Sequence, residues 1–321
     1  MTIKFNKSYI LSIIFLLICF IIIFLQVDLV KVKFFTIKSF LLSIVFGAVS
    51  FSISGLKQYF VMKHNLDIKL KVSDVLFLPI AMNFWSFIIP FKGGMLYNIF
   101  LLRNKYCTSY TNIFSFNLII YSLTIVISGC IGIFLSLYYD FFSLLIIVTC
   151  TLFIFNPLIV LTIYKIFHRS KLIDNKIISK IFVISGQLVK SYSIYKVVLS
   201  VFSITILHIL FQIFWFFYIN ELLELQMNFF EVSFIVIIRQ ILVVFKFTPG
   251  GLGFNELVSG GITEILINDP TLGILLTFYI RLSTLTLSSF VGPVFTIRNK
   301  KYYKFSSIKK IKLQLLKLKQ N

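Results

Sequence analysis

The sequence predicts an all-α polytopic membrane protein with about six transmembrane helices and two re-entrant helical hairpins. Three observations carry this. Of 321 residues, 59% are apolar and only 13% charged, far outside the composition of soluble domains. The apolar residues fall into runs of bilayer length. Two further runs are broken by Pro and Gly, at 90–94 and 249–251, and lipid offers no water to satisfy a broken backbone.

Taken in order, Tyr9 to Val27 is the first run, without a formal charge. It is too long for a cleaved leader and no small-x-small site follows, so it reads as a signal anchor. Phe34 to Leu56 is the second, with Lys38 near its start. Asn112 to Tyr138, Phe141 to Phe167, Val197 to Ile219 and Thr271 to Ile297 complete the six. Residues 1–297 form one integral membrane domain. Residues 298–321 form a tail with nine Lys or Arg and no acid, and Ile308, Ile311, Leu315 and Leu318 make an apolar helical stripe within it. That tail reads as a topology anchor that can lie on an anionic leaflet.

Charge orients these elements. Lys and Arg in short loops stay cytoplasmic. The N-terminus (Lys4, Lys7), the basic segment 165–196 and the tail therefore lie inside. Asp140 and the stretch with Glu221, Glu224 and Glu231 lie outside. Val75 to Phe91 and Val232 to Phe247 remain. If each crossed once, the N-terminus and the 165–196 segment would fall on opposite faces. If each turns back at its Pro-Gly break, every strongly charged segment takes its expected face, and only Lys31 and Lys33 must snorkel. The hairpins so placed are about 75–106, entering from the cytoplasm, and about 232–267, entering from outside. Opposite entry with similar breaks reads as an inverted repeat with a binding site at the midplane. Chance recurrence of Pro and Gly is the alternative. The expected location is the inner (plasma) membrane, multi-pass, with both termini cytoplasmic.

The chemistry at the breaks is anion recognition. A helix starting at the midplane presents free N–H groups and partial positive charge. Pro90-Phe91-Lys92-Gly93-Gly94 forms the first break, and Pro249, Gly250, Gly251 and Gly253 shape the second. Arg239 and Lys246, seven residues apart, fall on nearly one helical face. Arg281 lies inside the last span, and Glu256 and Glu264 are the acids available to pair with these cations. Ionisable groups at membrane depth are costly and are paired or functional. Lys92, Gly93, Gly94, Arg239, Lys246, Pro249, Gly250, Gly251, Gly253, Glu256, Glu264 and Arg281 are thus the candidate substrate-binding residues. For any one of them the alternative is structural: Glu256 complementing a helix dipole, or an arginine in a fixed ion pair.

Other chemistries find no support. Cys19, Cys107, Cys130 and Cys150 are scattered and read as free thiols packed as small apolar groups. His64, His168 and His208 show no metal-ligand spacing. His208, within a run, reads as a packed, hydrogen-bonded imidazole, with a cavity-facing role as the alternative. No cofactor or metal is expected. The net charge of +20 follows the inside rule and carries no nucleic-acid motif.

Ile89-Pro90-Phe91-Lys92-Gly93-Gly94, with Leu101-Leu102-Arg103-Asn104-Lys105, resembles the first motif of the flippase-like membrane domain found in lysylphosphatidylglycerol synthase, the multiple peptide resistance factor. Phe247-Thr248-Pro249-Gly250-Gly251-Leu252-Gly253-Phe254-Asn255-Glu256 resembles its more specific Pro-Gly-Gly-x-Gly-x-x-Glu motif, and Tyr279-Ile280-Arg281-Leu282 its third. The resemblance spans nearly the whole chain. It implies a module that translocates anionic, aminoacylated or glycan-linked phospholipids. Met95 and Asn98 stand where many members have an acid and an arginine, and Ser288 where many have a proline. No cytosolic aminoacyl-transfer domain accompanies these motifs, so transferase activity is not inherited with them.

Three readings follow. The leading one is a flippase for a phosphate-bearing lipid, working beside a separate lipid-modifying or glycan-assembly enzyme. The second is a membrane-embedded head-group transferase with Glu256 or Glu264 as general base. The third is a non-catalytic subunit of a cell-envelope enzyme.

Overall fold

The computed structural model describes residues 36–89, 93–138, 195–242 and 248–303. Eight α-helices lie among them: α1 (Ile37–Leu66), α2 (Val72–Ile88), α3 (Gly93–Tyr106), α4 (Tyr110–Tyr138), α5 (Tyr195–Leu222), α6 (Phe229–Leu242), α7 (Phe254–Ile267) and α8 (Pro270–Arg298). No strand occurs among the described residues. Four helices, α1, α4, α5 and α8, are long and apolar enough to cross a membrane. Their outward faces carry large apolar side chains such as Phe134, Leu207, Phe214 and Phe290, as lipid requires. The runs at Tyr9 to Val27 and Phe141 to Phe167, the 165–194 stretch and the tail beyond Tyr303 lie outside the described residues.

Local chemistry sets the ends. Thr36 caps α1 by accepting from the Ser39 N–H. Asp269 caps α8, and Pro270 takes the first helical position, where its missing N–H costs nothing. Asn228 and Glu231 cap α6 reciprocally, each side chain accepting from the other's backbone N–H at 2.9 and 2.8 Å.

Both hairpins form. At the closed end of the first, Gly94 N–H donates to Ser86 Oγ and Trp85 stacks on Tyr97. At its open end, Lys105 Nζ pairs with Asp74 at 2.7 Å, and Tyr106 also donates to that carboxylate. α3 therefore runs back along α2 to where α2 began. With 17 and 14 residues, the arms are about 26 and 21 Å long, short of a hydrocarbon core of about 30 Å. The second hairpin, α6 and α7, has two arms of 14 residues. Each hairpin begins three residues before its expected start. Asp74 and Glu231, in the first turns of α2 and α6, are polar helix-start residues that read as loop in the sequence.

α8 fixes how the hairpins are arranged. Along its first half it lies against α7: Gly273 packs on the Ser259 carbonyl and Thr277 donates to Ser259. Along its second half it lies against α2: Asn83 donates to Ser288, Gly292 packs on Phe84, and Trp85 donates to Thr296. The hairpins thus stack end to end beside one helix of roughly 43 Å, their closed ends meeting at its middle. One apolar core lies around α5, α6 and the first half of α8, and a second around α2, α3 and the far end of α8.

The two halves repeat the same plan. Helix, hairpin, helix is built by α1 to α4 and again by α5 to α8, with lengths of 30, 17, 14, 29 and 28, 14, 14, 29 residues. The junctions match in backbone conformation. Asp67 and Glu224, after the first helix of each half, both have φ of 53°. Cys107 and Asn268, after each hairpin, have 54° and 53°. α1 and α5 pack antiparallel, with Trp215 donating to Ser43 and Ser50 bonded to His208 at 2.9 Å. Ser50 and His208 are each the fourteenth residue of their helix, so the two helices meet at matching positions.

Candidate functional site

Where the two closed ends meet, the helices leave a cavity of about 300 Å³, lined from both halves. Its position follows from the breaks. Gly250 has φ of 59° and Gly251 76°, left-handed values that glycine adopts without penalty. The turn Pro249–Gly251 packs on α2, with the Phe87 ring against Gly250 so closely that a Cβ there would lie 2.5 Å from a ring carbon. Gly253, with φ of 78°, then opens α7.

Three cations face the cavity: Lys57 from α1, Arg239 from α6 and Arg281 from α8. Lys57 is 3% exposed and has no carboxylate partner among the described residues. Arg239 leaves Nε and one terminal nitrogen without a hydrogen-bond partner among the described residues, and its guanidinium lies 4.5 Å from the Phe216 ring centre. Arg281 lies 5.6 Å from the Phe87 ring centre. Its Nε is 3.6 Å from a Glu256 oxygen, too long for a hydrogen bond. Neither Glu256 oxygen has a hydrogen-bond partner among the described residues. Guanidinium groups over aromatic faces are held by cation–π attraction and keep their N–H donors free.

Neutral polar groups complete the wall. His208 is bonded to Ser50 and approached at 3.1 Å by Gln212, which also meets Gln240. Asn83, Asn255 and Thr284 add amide and hydroxyl edges. His208 is therefore both hydrogen-bonded and cavity-facing. Trp215 and Tyr121 supply large aromatic faces.

Of the residues the sequence nominates, Arg239, Gly250 and Arg281 line the cavity. Gly251 touches the Arg281 guanidinium, since a Cβ there would lie 3.3 Å from Nη2. Glu256 is 1% exposed and stands behind Arg281 rather than in the wall. Pro249 opens the tight turn. Gly93 and Gly94 are placed differently from expectation: they let α3 sit against the Trp85 and Met82 carbonyls of α2 and do not line the cavity. Glu264 is exposed near the far end of α7, away from the cations. Lys92 and Lys246 lie outside the described residues. Cys107 and Cys130 are free but exposed, not packed as expected; Cys130 looks outward from α4. Cys19 and Cys150 lie outside the described residues.

Sequence reasoning missed Lys57, Gln212, Gln240 and Asn83. Lys57 ends an apolar run, which reads as an interfacial position. The available signal was the absence of any Gly or Pro stop between Lys57 and Asp67, which extends the helix nine residues past the lysine and buries it.

A family model described as the lysylphosphatidylglycerol synthase TM region matches residues 9–292. The chain belongs to this family. No curated protein and no solved structure matches it. In this member of the lysylphosphatidylglycerol synthase TM-region family, the Pro-Gly-Gly turn, Glu256 and Arg281 form one continuous contact, from Gly251 through the guanidinium to the carboxylate. The second and third stretches that carried the resemblance therefore meet each other, and Phe87, on the helix that leads into the first, packs against Gly250.

Proposed function

We propose that this protein moves a phosphate-bearing anionic lipid across the inner membrane, its head group seated among Lys57, Arg239 and Arg281. The observation that supports this is a cationic cavity at the meeting point of two opposed hairpins, with unpaired arginine donors inside it. Its volume suits a head group and not a whole lipid, so the acyl chains stay in the bilayer during transfer. Rocking of the two halves about the Ser50–His208 contact would open the cavity to either leaflet in turn. The open end of the first hairpin, beside Lys300 and Lys301, is the cytoplasmic one by the charge rule, which puts both termini inside. A separate lipid-modifying or glycan-assembly enzyme would supply or consume the cargo.

The transferase reading has less support, because a general base must reach the substrate. Glu256 sits behind Arg281 and Glu264 on the outer surface.

Reconstitution tests the proposal. Purified protein in vesicles should move a tail-labelled anionic phospholipid between leaflets. Arg281→Gln should reduce the rate roughly a hundredfold, the scale for leaving a buried charge partner and the ligand oxygen unpaired. Glu256→Gln should reduce it less, because it frees Arg281 from its anchor without removing the donor. Unchanged transport in both well-folded variants would overturn the site.

A further inference from the structure

Charge inside the cavity does not balance. Counted at formal charge, Lys57, Arg239 and Arg281 carry three positive charges, and Glu256 returns one. Of the eleven acidic residues in the chain, Asp74 is committed to Lys105, and Glu231 to the start of α6. Asp67, Glu221, Glu224, Glu264 and Asp269 lie at helix ends or on the surface away from the cavity, and Asp28, Asp140 and Asp174 lie outside the described residues. Buried charge left without a counter-charge is costly and is normally paired. Among the described residues, two formal positive charges are left without a counter-charge.

The cations are also divided between the halves. Lys57 belongs to the first, and Arg239 and Arg281 to the second. Lys57 is 3% exposed, faces the cavity and has no carboxylate to hold it among the described residues. An anion that reaches the arginines alone carries one charge and leaves Lys57 unpaired. An anion carrying two charges meets both halves at once.

We infer that the cargo site is selective for a dianionic phosphate, a phosphomonoester or a diphosphate, over a phosphodiester or a cationic aminoacylated head group, with Lys57 as the residue that sets this preference. The inference rests on the transport reading for its lipid part only. A phosphodiester carries one charge, whereas a phosphomonoester carries about 1.5 to 2 at neutral pH, with three acceptor oxygens. Lysine suits the second charge: it is a compact point charge that does not demand a planar, bidentate partner. A lysyl head group would bring its own ammonium groups against three cations, so the same charge count disfavours it.

Two arms test this at neutral pH. In vesicles, wild-type protein should move tail-labelled phosphatidic acid about tenfold faster than tail-labelled phosphatidylglycerol, the effect of roughly one extra screened charge contact. Lys57→Gln should slow both lipids and abolish the preference, lowering the phosphatidic acid rate about tenfold more than the phosphatidylglycerol rate, whereas Lys57→Arg should keep most of the preference. In detergent, pyrophosphate alone should stabilise the wild-type protein against heat and stabilise Lys57→Gln less. Equal rates for the two lipids in wild type, or an equal loss of both in a folded Lys57→Gln, overturn the charge preference while transport itself stands. Stabilisation by pyrophosphate that depends on Lys57, with no movement of either lipid, keeps the dianion site and removes the lipid reading. No movement and no stabilisation removes both. If Lys57→Gln does not fold, the wild-type lipid ratio and the pyrophosphate response still decide.

Discussion

At Gly250 two separate constraints meet. Its φ of 59° disfavours any side chain, and Phe87 of the opposite hairpin fills the space a Cβ would need. The left-handed conformation costs an L-residue about 1–2 kcal/mol. Displacing Phe87 adds an overpacking cost of about 1–3 kcal/mol. Gly250→Ala should therefore lower the melting temperature in detergent and slow lipid transfer together, since Phe87 also lies over Arg281. Normal stability and normal transport in this variant would show that the hairpin tips do not touch as described. The residue scale is also where the sequence was most uneven. Arg239, Arg281 and Glu256 stood out because a charge within an apolar run has few bland explanations. Lys57 did not, since a lysine at the end of such a run is ordinary. Glu264 carries the same signal in the sequence, but it is exposed near the end of α7 and lies outside the cavity wall.

Among the elements, the first hairpin shows how a short helix pair is held. At its closed end small residues bring α2 and α3 together. Pro79 lacks an N–H, so the Val75 carbonyl four residues earlier loses its helical donor. Gly55 of α1 lies directly against that carbonyl, where a Cβ would come within 1.8 Å of the oxygen. The close approach fits a Cα–H···O contact with a group that has no other use. At the open end, Asp74 is fully buried and holds Lys105, which in turn donates to Asn299 at 3.0 Å. Asp74→Asn leaves Lys105 short of its counter-charge and should destabilise the protein by roughly 3 kcal/mol, the low end for a broken buried pair near a surface. Thermal unfolding measures this, and a loss under about 0.5 kcal/mol would mean the pair is solvated. The Pro-Gly breaks and the charge parity made both hairpins legible. The repeat beyond those breaks was not, because Asp67 matches Glu224, and Cys107 matches Asn268, in backbone conformation and not in side chain.

At the scale of the whole molecule, the arrangement along α8 makes a claim about sidedness. If the halves are inverted, the junctions that match in conformation must sit on opposite faces of the membrane. Cys107 follows the first hairpin and Asn268 the second, and both are exposed. Arg298, Lys300 and Lys301 end the α8 side nearest Cys107, whereas Asp269 begins the side nearest Asn268. The charge rule puts the first end in the cytoplasm. With Cys19, Cys130 and Cys150 changed to Ser, Cys107 should react with an impermeant maleimide in inverted vesicles and not in intact cells. With Cys107 also changed to Ser, Asn268→Cys should give the reverse pattern. Labelling of both from one side would mean that the hairpins enter from the same face. A cavity framed by opposed hairpins would then no longer be reachable from both leaflets by rocking one half against the other, and the symmetry that makes two-way access natural for this fold would be lost.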